Sequence, residues 1–189
     1  MIFLIDLDGT LIDSDHLHYE AWSRVLNQSP EHIEHIIKTI GMEKYLERSN
    51  FQRLKNIKLE EMTKVQHIDF IKNADKFIDF IDDNNINHVV VTHTDRLVVD
   101  FFKDRVPKLK NLKNWIVREN YDKPKPDPEC YKLAIKLYGN DDKHIIGFEN
   151  SKHGINSLSH VTPNIIRINK KTNYLDVIKG IKGSGAVFV

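Results

Sequence analysis

Apolar residues along the chain fall into two alternating rhythms. Short apolar, β-rich runs occur at Ile2–Ile5, 88–92, 115–117, 144–148 and 164–168. Each has the length of a strand buried on both faces. Between most of them the apolar spacing changes to three and four residues. Phe77, Ile78, Phe80 and Ile81 form one stripe, Leu97, Val98, Phe101 and Phe102 a second, and Tyr131, Leu133, Ala134 and Leu137 a third. Asp127 followed by Pro128 reads as an N-cap with proline at the first helical position, opening the third helix. Strands alternating with helices predict an α/β fold with a Rossmann-like parallel sheet covered on both faces. Such sheets bind ligands beyond the carboxyl ends of their strands.

One stretch breaks the alternation. From about residue 15 to 72 no strand pattern appears, only helical faces. Ala21, Trp22, Val25 and Leu26 make one, Ile33, Ile36, Ile37 and Ile40 a second after Ser29-Pro30, and Met62, Val65 and Ile68 a third. The expected organisation is an α/β core of residues 1–14 and 73–189, with an all-helical insertion, 15–72, acting as a cap.

Composition narrows the function classes. A chain of 189 residues is long enough for one core with a modest insertion, and 40% hydrophobic residues can fill it. A net charge of +1 gives no electrostatic footprint for nucleic acid or an anionic membrane. No apolar run approaches the length of a membrane span. An acidic residue at position 6 interrupts any signal-peptide core. The single cysteine, Cys130, forms no internal disulfide and fits a reducing, cytoplasmic setting. No oligomeric state is legible.

The chemistry sits where the strand runs end. Asp6-Leu7-Asp8-Gly9-Thr10 follows the first run, Thr92-His93-Thr94 ends the second, and Glu149-Asn150-Ser151 follows the fourth. A proline-stiffened loop, Asp122-Lys123-Pro124-Lys125-Pro126-Asp127, follows the third. Ionised side chains are costly to bury unless paired or bound to metal. Carboxylates, a hydroxyl and a lysine at one sheet edge are the inventory for a phosphoryl group handled with Mg²⁺. A carboxylate can attack phosphorus, a cation and a hydroxyl can hold the equatorial oxygens, and the metal offsets anion repulsion.

In order along the chain, DLDGT, VVVT, KPKPD and FENS resemble the four motifs of the haloacid dehalogenase superfamily. The insertion after DLDGTLIDS resembles the small helical cap of the branch containing β-phosphoglucomutase and phosphoglycolate phosphatase, and His18-Tyr19-Glu20-Ala21-Trp22 is similar to a segment of such caps. The resemblance implies that Asp6 is the nucleophile forming an aspartyl-phosphate and Asp8 the general acid/base. It gives the phosphoryl oxygens to Thr92 and Lys123, with Lys125 at the variable position of a KPxPD pattern. Leu7, Gly9, Thr10, His93 and Thr94 fall among the phosphate- and substrate-binding positions, and His18 and Lys44 among those of the cap. Asp6, Asp8, Glu149 and Asn150 become the Mg²⁺ positions. Asn150 departs from the pattern, where most relatives carry Asp, and removes one negative charge from the metal site.

The expected function is a Mg²⁺-dependent phosphatase for a small phosphorylated metabolite, without nucleic acid or membrane as partner. A β-phosphoglucomutase-like mutase using the same intermediate is the alternative, and a phospho-ligand binding protein with impaired catalysis a second. His16, His32 and His35 show no metal-ligand spacing, and Trp22 reads as helical core.

Overall fold

The computed structural model describes residues 1–64, 67–139 and 144–183. The chain divides into two compact units, Met1–Asp13 with Asp69–Val189, and Ser14–Ile68. The boundaries fall one and four residues before those expected. The second shift has a hydrogen-bonded cause: Asp13 N–H donates to Asp69 O (2.8 Å), Ile71 N–H donates to Leu11 O (3.0 Å), and Ile12 bridges Phe70. Residues just before 73 are therefore tied to the first loop of the core.

The elements run β1 (Ile2–Ile5), α1 (Asp15–Leu26), α2 (Pro30–Thr39), α3 (Met42–Tyr45), α4 (Glu47–Thr63), α5 (Ala74–Asp83), β2 (Asn87–Val91), α6 (Arg96–Arg105), β3 (Trp115–Ile116), α7 (Glu129–Tyr138), β4 (Ile145–Glu149), α8 (Lys152–Ser159), β5 (Ile165–Arg167) and α9 (Tyr174–Gly183). The sheet is fully parallel in the order β3-β2-β1-β4-β5. Every residue of β1 is buried, as the unbroken apolar run requires of a central strand. Sequence order reverses at β1, with β2 and β3 on one side and β4 and β5 on the other. That switch point opens a crevice at the carboxyl ends of the strands. Ile5 pairs with Val90 on one side and Phe148 on the other. The next residues, Asp6, Val91 and Glu149, therefore emerge side by side.

Phe3, Phe77, Phe148 and Tyr174 knit β1, α5, β4 and α9 together through ring contacts of 4.7–5.8 Å. Each such pair adds about 0.5–1.5 kcal/mol beyond its buried area. Two stripes turn differently from their expected faces. On α6 the buried set is Val98, Val99 and Phe102, while Leu97 is 63% exposed. On α7 it is Cys130, Tyr131 and Ala134, with Leu137 56% exposed. Adjacent apolar residues on a helix admit two stripes offset by one position, and sequence spacing does not choose between them. Helix α7 also starts one residue late, at Glu129, with Pro128 and not Asp127 at the N-cap; Asp127 lies one residue further out and accepts the Glu129 N–H at 3.0 Å.

The helical unit has its own core of Trp22, Ile33, Ile36 and Met42, with Trp22 and Phe51 rings 5.7 Å apart. Ser29 Oγ caps α2 by accepting the His32 N–H at 3.3 Å, with Pro30 at the first turn. Ile40 falls beyond the end of α2 and is 47% exposed. Val65 lies outside the described residues. Among the described residues no helix is long and apolar enough to cross a membrane.

His88, buried on β2, is satisfied only as the neutral ring. Its Nδ1–H donates to Ile86 O (2.8 Å) and its Nε2 accepts the Lys113 N–H (3.1 Å). Burial lowers its pKa below the ordinary histidine value, and nearby Lys113 adds to that. The unfolded chain takes a proton at about pH 6.5 and the folded chain only at lower pH. Stability present above about pH 6.5 is therefore lost as pH falls toward the lowered folded value, by at most about 1.4 kcal/mol per pH unit. Urea titrations from about pH 7 to about pH 5 are expected to show a smaller loss in His88→Gln than in the wild type.

Candidate active site

The first acidic loop is a tight turn closed on Leu7. Thr10, Leu11 and Ile12 all direct N–H groups to Leu7 O at 2.9–3.2 Å. Gly9 stands at φ +69°, a conformation that favours glycine, and its N–H donates to Ile12 O at 2.8 Å. The Leu7 carbonyl and the Gly9 and Thr10 N–H groups are thus bonded within the turn itself, and the Leu7 side chain is core. The Thr10 hydroxyl does reach the site. It donates to Asp6 Oδ2 at 3.0 Å, and Asn150 Oδ1 lies 3.4 Å from Thr10 Oγ1.

The lysine at the site is Lys125, which corrects the expected Lys123. Lys125 Nζ is buried and donates to Asp6 Oδ1 (2.7 Å), Glu149 Oε1 (2.8 Å) and Val91 O (3.1 Å). Lys123 is exposed, and its N–H donates to Glu129 Oε2 (2.9 Å). The loop satisfies the same pattern twice, since Lys125-Pro126-Asp127-Pro128-Glu129 repeats Lys-Pro-x-Pro-acid two residues on. Burial alone would pull the Lys125 pKa down, but the Asp6 and Glu149 charges outweigh it and hold the ammonium well above the ordinary lysine value. Asp6 is pushed above the ordinary carboxylate value by burial first and by Glu149 second, against the lowering pull of Lys125.

Glu149 does not present a carboxylate edge to a metal, contrary to expectation. Its Oε1 accepts from Lys125 and from Tyr131 OH (3.3 Å), and its Oε2 accepts the Ser151 N–H (2.8 Å) and Ser151 Oγ–H (3.1 Å). Four donors occupy the acceptor sites of one carboxylate. Glu149 is the counter-ion that orients Lys125. Gly154 makes the room, because a Cβ there would lie 1.6 Å from Glu149 Oε1.

Asp8 faces the end of β2. Its Oδ2 accepts from Thr94 Oγ1 at 2.6 Å and from Thr92 Oγ1 at 3.1 Å. Thr92 Oγ1 in turn accepts the Thr94 N–H (3.0 Å), and Tyr121 OH braces the Thr92 carbonyl (3.0 Å). The end of β2 thus brings both Thr92 and Thr94 to Asp8. His93 turns an exposed edge to water. Crowding by protein, then the Lys125 and Arg118 charges, lowers its pKa and keeps the ring neutral near pH 7, with water screening part of the effect. His18 and Lys44 belong to the helical unit. There Lys58 Nζ lies 2.9 Å from His18 Nδ1, and Lys44 is exposed on α3.

Among the described residues no group of three His, Cys, Asp or Glu side chains is placed to hold a metal ion. The site nevertheless fits Mg²⁺. That ion needs only one or two carboxylates alongside neutral oxygens, water and substrate oxygens. The Asp6 carboxylate and the Asn150 amide oxygen share the Thr10 hydroxyl as a neighbour. The buried carboxylates of Asp6 and Glu149 also outnumber the one buried ammonium between them, leaving negative charge for a cation to offset.

A family model described as haloacid dehalogenase-like hydrolase matches residues 2–166. The chain belongs to that family. No curated protein sequence matches it. Among solved structures, this haloacid dehalogenase-like hydrolase is similar in fold to CbbY from Rhodobacter sphaeroides in complex with phosphate (18% identity, 84% of this chain and 81% of that one, TM-score 0.73). It is also similar to a phosphoglycolate phosphatase assigned by name in Lactobacillus plantarum (15%, 94% and 97%, 0.74). A third is β-phosphoglucomutase from Clostridium difficile (15%, 97% and 99%, 0.75).

Proposed function

We propose that this hydrolase is a Mg²⁺-dependent phosphoric monoester hydrolase for a small phosphorylated metabolite, working through an aspartyl-phosphate on Asp6. The observation that carries the reading is the buried Lys125 ammonium, bonded to Asp6 at 2.7 Å and held by Glu149, beside a hydroxyl-clamped Asp8. The phosphate named with the similar CbbY structure supports the substrate class.

An Asp6 oxygen attacks phosphorus, and the bond from phosphorus to the leaving oxygen breaks. The leaving oxygen takes that electron pair and a proton from Asp8. Water then attacks the phosphorus, gives its proton to Asp8, and the Asp6–phosphorus link breaks to release inorganic phosphate. Lys125 offsets charge on the phosphoryl oxygens, and the Thr92 hydroxyl donates to one of them. Mg²⁺ would be held by the Asp6 carboxylate, the Asp8 carbonyl and Asn150, and supplies charge neutralisation between the anions. The helical unit follows the acidic loop directly in sequence. It is proposed as the substrate-reading cap, with His18 and Lys44 as its candidate contacts.

The test is hydrolysis of p-nitrophenyl phosphate with and without Mg²⁺, followed by a panel of phosphorylated metabolites. Metal-dependent hydrolysis is expected, and no release with any substrate at any Mg²⁺ level would overturn the reading. Similarity to a β-phosphoglucomutase favours a second reading, in which a sugar hydroxyl replaces water as acceptor. Turnover of glucose 1-phosphate that requires a bisphosphate primer would establish it. Asn150→Asp, which adds a charge to the oxygen set, is expected to lower the Mg²⁺ concentration for half-maximal rate roughly tenfold. An unchanged midpoint would remove Asn150 from the metal site.

A further inference from the structure

We infer that Thr94 is the positioning residue that holds Asp8 for proton transfer once the Thr92 hydroxyl is committed to the phosphoryl group. The inference rests on the phosphatase reading and extends it to a residue whose part in the reaction that reading leaves open. Thr92 and Thr94 both reach the same oxygen, Asp8 Oδ2, but not equally. Thr94 Oγ1 stands at 2.6 Å and Thr92 Oγ1 at 3.1 Å.

A hydroxyl has one proton to donate. When Thr92 gives its proton to a phosphoryl oxygen, its bond to Asp8 is lost. Thr94 then keeps the carboxyl from swinging away at the moment it must face the leaving oxygen. The backbone makes this division of labour possible. The Thr94 N–H donates to Thr92 Oγ1 at 3.0 Å, fixing the two side chains relative to each other. Thr94 is itself buried, and the Tyr121 hydroxyl braces the carbonyl of Thr92. A buried threonine with its hydroxyl spent on a catalytic carboxyl is rigid at χ1, which suits a support.

Proton transfer by a positioned carboxyl contributes on the order of 10²–10⁴ in rate, and its efficiency depends on hydrogen-bond geometry. Loss of the support is therefore expected in kcat and not in KM. With p-nitrophenyl phosphate and Mg²⁺, Thr94→Val, which keeps the shape and removes the hydroxyl, is expected to lower kcat about ten- to a hundredfold with KM within about twofold. Thr94→Ser, which restores the hydroxyl, is expected to recover kcat to within a few fold. A crystal structure of each variant with inorganic phosphate bound, which occupies the Thr92 hydroxyl, is the second measurement and does not depend on turnover. Asp8 is expected to leave its position in Thr94→Val and to keep it in Thr94→Ser.

Equal kcat in wild type and Thr94→Val, a loss confined to KM, or a Thr94→Ser variant as impaired as Thr94→Val would overturn the inference. So would an Asp8 carboxyl unmoved in Thr94→Val. A wild type that hydrolyses nothing overturns the phosphatase reading, and the two crystal structures then decide the role of Thr94 by themselves.

Discussion

Asp6→Asn is expected to reduce hydrolysis to background while raising the thermal midpoint by a few degrees in metal-free buffer. An amide is a far poorer nucleophile than a carboxylate, so the first covalent step is lost. The stability gain follows from the cost of keeping Asp6 charged. Burial and the neighbouring Glu149 raise its pKa in the folded chain, and the Lys125 bond offsets only part of that. An acid with a raised folded pKa destabilises the fold at pH above that value, and the cost disappears as pH falls toward the unfolded value. The gain of Asp6→Asn is therefore expected to be largest near neutral pH and to shrink in acid. Thermal melts across that range, beside steady-state assays, check both halves. A folded Asp6→Asn variant with near wild-type rates would remove Asp6 from the chemistry, and a lower midpoint would mean that Lys125 dominates its environment.

Lys125→Met is expected to cost on the order of 10²–10³ in rate, because it removes a preorganised cation from a dry phosphoryl site. It is also expected to destabilise the fold by about 3–5 kcal/mol, since Glu149 is left buried without its cation. The double variant Lys125→Met/Glu149→Gln neutralises that orphan and is expected to regain most of the stability without regaining activity. This separates a catalytic loss from a failure to fold. Lys123→Ala is expected to stay within about twofold in rate and about 0.5 kcal/mol in stability, as an exposed side chain should. Equal losses for the two lysines would mean that the loop, and not one ammonium, carries the effect.

The lysine register also marks where the sequence stopped being legible. Strand ends could be read from apolar runs, and with them Asp6, Asp8, Thr92 and Asn150, because backbone position alone delivers those residues to one sheet edge. Lys125 could not be chosen over Lys123 by the same means, since 123–127 and 125–129 both satisfy the Lys-Pro-x-Pro-acid pattern. The choice is made by burial beside Asp6, a contact spanning 119 positions. The direction of the Glu149 carboxylate is hidden from the sequence for a related reason. It is set by Tyr131, Ser151 and the space at Gly154, and apolar spacing carries no signal for any of them. Thr94 was visible as a hydroxyl near the site, but its bond to Asp8 joins residues 86 positions apart. The one-residue rotation of α6 and α7 has a local origin instead, in runs such as Leu97-Val98-Val99 that offer two apolar faces.

The proposed chemistry turns on a covalent phosphoryl group on Asp6. The direct measurement is peptide mass mapping of protein quenched in acid during turnover of p-nitrophenyl phosphate with Mg²⁺, using wild type, Asp8→Asn to slow the second step, and Asp6→Asn. The expected result is one phosphoryl group on the peptide carrying Asp6, enriched in Asp8→Asn and absent from Asp6→Asn. A phosphoryl group on another residue, one that persists in Asp6→Asn, or none in either other protein while the wild type turns over, would contradict it.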